Sequence, residues 1–430
     1  MVISGRFVLL LAAGVIPVVL TGSPLALAGW VALVVVVGTI DAIIAGSPRR
    51  VTPERAAVPR IRLGETARAE LFLTNTGSRT VRAVVRDGWQ PSAGAHATRT
   101  RVRLPAGERR LVTTTLTPFR RGERRAEVVA IRSFGPLGLM GRQAAFALPG
   151  GVRVLPPFTS RKHLPSRLAR LRELDGRTSL MIRGQGTEFD SLRDYVRGDD
   201  VRSIDWRATA RRSAVVVRTW RPERDRRVVI VIDTGRTSAA RIDNESRLDT
   251  AFESALLLAA LATRAGDRVD VILFDRRVRG RVAGAVGADL LARMVDTMAP
   301  IDPELLATEW SAVPALVREV TSQRSLVVLL TTADSPASAR PLLSMLPQLT
   351  RTHVVMVAGV SDPAVVDAAD TRSDRTEVYR AAAAERAMLD RDRVALAVHQ
   401  VGADVISGRP ADLPPAVADR YLQLKAAGRL

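Results

Sequence analysis

The residues best placed to do chemistry stand in one short loop, Asp233-Thr234-Gly235-Arg236-Thr237-Ser238, directly after the apolar run VVIVID at 228–233. A carboxylate followed by hydroxyls offers hard oxygen ligands to Mg²⁺ or Ca²⁺, with Asp233 and Thr237 (or Ser238) as the first candidates. The alternative is purely structural: Asp233 caps the segment that follows it or pairs with an arginine. A second chemical stretch, GQGTEFDSLRDYVRGDDVRSIDWRATARR at 184–212, interleaves Glu188, Asp194, Asp199 and Asp205 with Arg193, Arg197, Arg202 and Arg211. Guanidinium forks pair bidentately with carboxylates, so this composition suits a packed ionic network, with Trp206 as an anchor or a packed ring. Gly184 and Gly186 permit backbone angles closed to other residues. Two readings follow: a structural clasp between the halves of the chain, or a surface that faces a partner. No histidine accompanies these acids, so a catalytic carboxylate is the least economical reading.

Other chemistries find no support. There is no cysteine, which excludes disulfides, thiolate catalysis and Cys-ligated zinc. His96, His163, His353 and His399 are scattered, and neither H-E-x-x-H nor a Walker phosphate loop nor a G-x-S-x-G elbow occurs. GQG at 184–186 lacks a third glycine, and Glu188 would repel phosphate. The formal charge of +20 invites a nucleic-acid reading, but aromatic residues make up only 4% of the 430 residues, and stacking platforms need them. Only Lys162 and Lys425 are lysine among 64 basic residues, which has the look of coding bias. Charge beside a membrane anchor is better matched by anionic lipid headgroups than by nucleic acid.

The elements that must position these residues fall into four stretches. Residues 1–48 hold two apolar runs, 7–20 and 25–40, joined by Thr21-Gly22-Ser23-Pro24, and predict a transmembrane helical hairpin. A signal peptide cleaved after Ala28 is the alternative for the first run. Asp41 is expected to snorkel to the interface. Arg6, Arg49 and Arg50 flank the spans, so the positive-inside rule puts the remainder in the cytoplasm, below the inner membrane. Residues 49–158 carry short alternating runs separated by turn signals such as Asn75-Thr76-Gly77-Ser78, the pattern of an all-β sandwich. Residues 159–227 form a connector holding the charged stretch. From 228 to 430 buried strand runs (VVIVID, VDVILF, SLVVLLTT, HVVMVAG) alternate with helical periodicity, predicting a doubly wound, Rossmann-type α/β domain. Ligands in such sheets bind beyond the carboxyl ends of the strands, which singles out the loop at Asp233.

That loop resembles the first loop of the von Willebrand factor type A domain, whose metal-ion-dependent adhesion site begins Asp-x-Ser-x-Ser. The resemblance implies a divalent cation at Asp233 and Thr237, with Thr308 as a hydroxyl from a middle loop. Gly235 departs from it by replacing the first serine. Thr331-Thr332 stand where the fold places an aspartate, and Asp334, displaced by two residues, is the nearest substitute. The site is therefore expected to be degenerate. The charged stretch in turn resembles the signature of the bacterial domain-of-unknown-function 58 family. The matches are Gly184, Gly186, Glu188, Phe189, Leu192, Arg193, Tyr195, Gly198, Asp199, Arg202, Ile204, Asp205, Trp206, Ala210 and Arg211, supported upstream by RRGERRAEVVAIRSFGPLGL at 120–139. This resemblance implies a membrane-anchored protein with a von Willebrand A-like cytoplasmic domain that works with a MoxR-type AAA+ ATPase, and no known reaction. The expectation is a non-catalytic scaffold or adaptor; the alternative is a metal-assisted hydrolase using Asp233 and neighbouring acids.

Overall fold

In the computed structural model, which describes residues 1–181, 188–197, 199–212, 214–221, 226–243 and 245–430, the chain divides into two compact units, Met1–Leu155 and Pro156–Leu430. Strand β1 (Val2–Ile3) leads into α1 (Gly5–Ala12) and α2 (Val15–Thr21), and after Gly22-Ser23 the chain returns as α3 (Pro24–Ile44). Among the described residues only α3 is long and apolar enough to cross a membrane: its 21 residues reach about 31 Å at 1.5 Å per residue. The first apolar run, expected as a second span, is instead broken at Ala13-Gly14. At that break the indole of Trp30 on α3 donates to the Leu10 carbonyl at 3.0 Å, and a Cβ at Gly14 would lie 2.4 Å from the same ring. Close approach of Trp30 therefore requires glycine there.

Asp41 does not snorkel. It is 1% exposed, and its carboxylate accepts from the backbone amides of Leu137 (2.9 Å), Leu139 (2.8 Å) and Met140 (3.3 Å). A carboxylate this deep is tolerable only because backbone donors replace its water. The apolar hairpin is thus fastened to the turn at 135–139, with Ser4 N–H donating to the Leu139 carbonyl beside it.

The strands of this unit are β2 (Val51–Arg55), β3 (Ile61–Arg62), β4 (Ala67–Asn75), β5 (Val81–Trp89), β6 (Arg99–Leu104), β7 (Arg109–Leu116), β8 (Gly122–Phe134) and β9 (Met140–Leu155). They form a three-stranded sheet, β2-β4-β7, and a six-stranded one ordered β1-β9-β8-β5-β6 with β3 beside β9. Strict alternation along β4 and β5 buries every second residue. Leu71, Leu73 and Val112 from one sheet meet Val81, Val85, Val129 and Ile131 from the other, which makes the unit a sandwich. Within it Arg55 and Asp87 form a buried bidentate pair (2.7 and 3.0 Å), and the Trp89 indole donates to the same carboxylate at 2.7 Å.

The second unit opens with α4 (Leu164–Met181), then β10 (Glu188–Asp194), α5 (Trp206–Arg212) and β11 (Val216–Arg221). Its sheet contains β12 (Arg227–Asp233), β15 (Arg268–Phe274), β16 (Val278–Val282), β17 (Leu326–Leu330), β18 (Val354–Val360) and β19 (Asp404–Gly408), with the short pair β13 (Arg241–Ile242) and β14 (Glu245–Ser246) outside it. The order β16-β15-β12-β17-β18-β19 is parallel except at β16. It is the doubly wound arrangement in which strand order reverses beside the first strand, here between β12 and β17. The helices are α6 (Arg247–Arg264), α7 (Gly287–Met298), α8 (Val313–Val320), α9 (Pro336–Thr350), α10 (Pro363–Asp370), α11 (Arg375–Gln400) and α12 (Leu413–Ala426). Helices α8, α9 and α11 pack on Val229, Val231, Val327, Leu329, Val355 and Val357, while α6 lies on β12, β15 and β18 with α4, α7 and α12 beside it.

The buried carboxylates of the first unit give a direct test. In the full chain in detergent, Asp87→Ala strands the buried Arg55 charge and should cost about 3–5 kcal/mol. Asp41→Ala leaves three amides short of an acceptor and should cost about 1–3 kcal/mol. Glu108→Ala, which breaks an exposed pair with Arg110, should cost roughly 0–1 kcal/mol. Equal unfolding midpoints for all three would contradict the burial described here.

Candidate functional site

The end of β12 delivers Asp233 to the crevice beside β17, where the topology of the sheet favours a ligand. The carboxylate is 1% exposed and already supplied with four donors. One oxygen accepts from Gly235 N–H (2.8 Å) and the Thr308 hydroxyl; the other accepts from the hydroxyls of Thr237 (2.8 Å) and Thr331 (2.7 Å). Three loops therefore converge on one acid: the loop after β12, the segment before α8, and the end of β17. Backbone bonds fix them there, with Arg236 N–H on the Leu306 carbonyl and Glu304 N–H on the Thr234 carbonyl, each 2.8 Å.

Asp233, Thr237 and Thr308 therefore stand together, and the hydroxyl of Thr331, at the position where an aspartate was looked for, joins them as a donor. Asp334 does not join them. Its carboxylate pairs with Arg247 at 2.8 Å, since two extra residues after Thr332 carry it past the crevice to the start of α6. A Cβ at Gly235 would lie 2.3 Å from the Thr308 hydroxyl oxygen and 3.0 Å from an Asp233 oxygen, so the space of the missing serine is filled. One carboxylate whose oxygens are occupied by donors, with no second acid, does not fit a divalent cation, which prefers six or more oxygens and compensating charge. Among the described residues no group of three or more acidic or histidine side chains could hold a metal ion.

A neighbouring acid passed unnoticed in the sequence, although it follows β15 as Asp233 ends β12. Asp275 is buried and accepts from the Thr234 hydroxyl (3.0 Å), Arg279 (2.9 Å) and the amides of Arg276 and Arg277 (2.6 and 3.1 Å). Burial pushes its pKa up, but the amides and Arg279 outweigh burial and hold it below the usual carboxylate range.

The charged stretch folds as a small module of its own. Strands β10 and β11 pair antiparallel, placing Glu188 opposite Arg221 and Phe189 opposite Trp220 in register. Arg193 grips Asp199 with two bonds (2.6 and 2.8 Å), and Asp199 also accepts from Val196 N–H at 2.9 Å. Asp205 caps α5 through the amides of Arg207 and Ala208 (3.0 Å each) and holds Arg218 of β11 at 2.8 Å. The Arg193 bond lowers the pKa of Asp199; the Ala208 amide and then Arg218 lower that of Asp205.

These braces are half-exposed and close within the module, which corrects the expectation of a packed, buried network. Each acid also accepts from nearby backbone amides, Asp199 from one and Asp205 from two. Trp206 is 69% exposed, Arg202 and Arg211 are exposed, and Tyr195 is half-buried with its amide on the Val215 carbonyl. Gly184, Gly186 and Gly198 lie outside the described residues.

Residues 191–391 match the family described as "Protein of unknown function DUF58". The match takes in somewhat less than half of the chain, which is similar to this family over that stretch. The matched stretch takes in most of the β10–β11 module and the α/β sheet as far as α11. Relatives include "Uncharacterized protein Rv1480" of Mycobacterium tuberculosis (strain ATCC 25618 / H37Rv) and "Uncharacterized protein Mb1516" of Mycobacterium bovis. Each is 25% identical over 193 residues, which span 44% of this chain and 60% of the relative. Among solved structures, the SpRpn10 VWA domain aligns with 45% of this chain and 94% of its own, at 8% identity and a TM-score of 0.29. The ASH/PapD-like domain of human CEP192 aligns with 25% of this chain and 89% of its own, at 17% identity and a TM-score of 0.19.

One further acidic set was not legible in the sequence. Glu253 on α6 is buried and accepts from the amides of Thr159 (3.2 Å) and Ser160 (2.8 Å) and the Thr159 hydroxyl (2.7 Å). Burial, then the charges of Glu253 and Asp249, push the pKa of Glu245 from 4.5 to about 7.

Two outcomes follow for this protein. Millimolar Mg²⁺ or Mn²⁺ should leave its Tm unchanged, because only a ligand of the folded state raises it; a rise that Asp233→Asn removes would show that a cation does bind. Between pH 4.5 and about 7 the folded protein keeps a proton on Glu245 that the unfolded chain has lost. Its share of the stability is therefore complete below that window and declines as pH rises through it. Glu245→Gln should flatten the fall in Tm across the window, and an unaltered slope would count against the assignment.

Proposed function

We propose that the protein is a membrane-anchored, cytoplasmic adaptor that performs no chemistry itself and presents its von Willebrand A-like domain to a MoxR-type AAA+ ATPase and its clients. The observation that carries this reading is the exposed face of the β10–β11 module. Trp206 stands in water with Val196 and Val201, also largely exposed, on a module whose charges are braced internally. An exposed tryptophan on a fixed scaffold is costly in a free protein and typical of an interface anchor. The state of Asp233 supports the same reading: a general base needs a lone pair free for a substrate proton, and its carboxylate oxygens already accept four hydrogen bonds.

Anchoring is inferred from α3 and from the exposed apolar side chains of the hairpin, such as Leu9, Val19, Leu20 and Leu25. With Arg6 before the hairpin and Arg49 and Arg50 after it, the soluble parts belong on the cytoplasmic side.

Full-length protein extracted from native membranes with its co-purifying ATPase tests the adaptor reading. Trp206→Ala should melt with the parent, since the ring is exposed, and should lose the ATPase by about tenfold or more, as truncated anchors at interfaces do. Undiminished retention would remove the module from the interface. Reporter fusions at the C-terminus should be active in the cytoplasm; periplasmic activity would reverse the topology.

A further inference from the structure

The last turn of α3 and the chain that leaves it open onto a cleft of about 460 Å³ in the first unit. Its lining includes Ile43, Ser47, Arg50, Ser78, Arg79 and Arg142, and no carboxylate. None of the three guanidiniums is paired with an acid among the described residues, in a protein where Arg55, Arg109 and Arg110 nearby all are. The wall is rigid. The side chain of Asn75, fully buried, donates to the carbonyls of Arg79, Leu104 and Pro105 and accepts from Gly77 N–H. Thr76 binds the Arg50 carbonyl through both its amide and its hydroxyl at 2.8 Å. Arg79 reaches the Ile43 carbonyl at 3.3 Å, which ties this wall to the end of the apolar helix.

We infer that this cleft binds the phosphodiester headgroup of an anionic glycerophospholipid, with the acyl chains lying along α3. The inference rests on the reading of α3 as a membrane anchor, which would set the cleft at the level of the headgroups. Its size is within the range of about 300–1,000 Å³ usual for small-molecule sites. Guanidiniums recognise phosphate oxygens with paired N–H donors. The hydroxyls of Ser47 and Ser78 suit a glycerol headgroup. Zwitterionic lipids carry the same phosphodiester together with a cation, which three unpaired arginines repel. Selectivity therefore comes from the charge of the cleft, and adhesion from the phosphate.

The full chain in zwitterionic micelles can be titrated with short-chain phosphatidylglycerol, short-chain phosphatidylcholine and inorganic phosphate. Phosphatidylglycerol should bind more tightly than phosphatidylcholine by about tenfold or more, given a gain of about fivefold per arginine beside anionic lipid. The triple variant R50Q/R79Q/R142Q should lose this preference, and so should Ser78→Asp, which puts an anion into the cleft. R99Q/R101Q/R103Q removes the same charge from β6 and should keep it. Equal losses in the two triple variants would mean diffuse electrostatics, and no loss in either would remove the cleft from the interaction. Displacement of the lipid by inorganic phosphate at similar affinity would make it a site for a soluble anion; each of these three results overturns the proposal. Resistance of the protein to carbonate extraction tests the anchor separately. An embedded protein without lipid preference sinks the cleft alone, whereas an extracted protein that still selects phosphatidylglycerol sinks the anchor alone.

Discussion

A carboxylate taken out of water must be given hydrogen-bond donors, and several of the long-range contacts in this chain can be traced to that requirement. Asp233 draws together the end of β12, the segment before α8 and the end of β17, because only those three loops supply the hydroxyls and amide it needs. Asp41 fastens the apolar hairpin to the turn between β8 and β9. Asp87 collects Arg55 and Trp89 in the sandwich, and Glu253 seats Thr159 and Ser160 on α6. In each case at least one donor is far from the acid in sequence, as Thr308 and Thr331 are from Asp233 and Arg55 is from Asp87, so that bond forms only when the fold does. The acid therefore specifies which loops meet, as well as adding stability.

This requirement also explains what could be read from the sequence. Elements with strong patterning were legible: VVIVID and VDVILF, read as buried strands, are neighbouring parallel strands of one sheet. Their signal is burial of their own residues, which the residues themselves carry. The full extent of β9, Met140–Leu155, is harder to read, because Pro149, Gly150 and Gly151 interrupt its pattern. The break at Ala13-Gly14 was hidden for a different reason: it depends on Trp30, sixteen residues further on, approaching the backbone. The role of Asp41 was invisible in the same way, since an acid near the end of an apolar helix reads alike whether it meets water or a turn ninety-six residues away.

The charged stretch at 184–212 shows the complementary error. Its density of opposite charges suggested burial, yet charge pairing says who meets whom and nothing about solvent. Asp199 and Asp205 each take an arginine, and each also takes backbone amides within three residues. An acid satisfied so locally does not need a distant partner, and the module can stand in water. What the pairing achieves is shape: Arg193 and Arg218 lock the turn and α5 in place, so that Trp206 is held outward. Exposed side chains on a flexible segment would lose their entropy on binding, whereas a braced segment has lost it already.

The same reasoning bears on how the α/β sheet could serve recognition without a cation. In a metal-dependent site the ion holds loops from different strands in one arrangement, and removing it frees them. Here the hydroxyls of Thr237, Thr308 and Thr331 converge directly on Asp233, and Gly235 leaves the room that Thr308 needs. Asp275 repeats the device one strand away, with Thr234 and Arg279 as donors and Glu304 on the far side of that arginine. The crevice is thereby closed by hydrogen bonds from the chain's own donors, which do not depend on ion supply, and its rim keeps one shape. A surface of constant shape is what the adaptor role proposed above would require, and this is the physical sense in which threonines can stand in for the ligands of a cation.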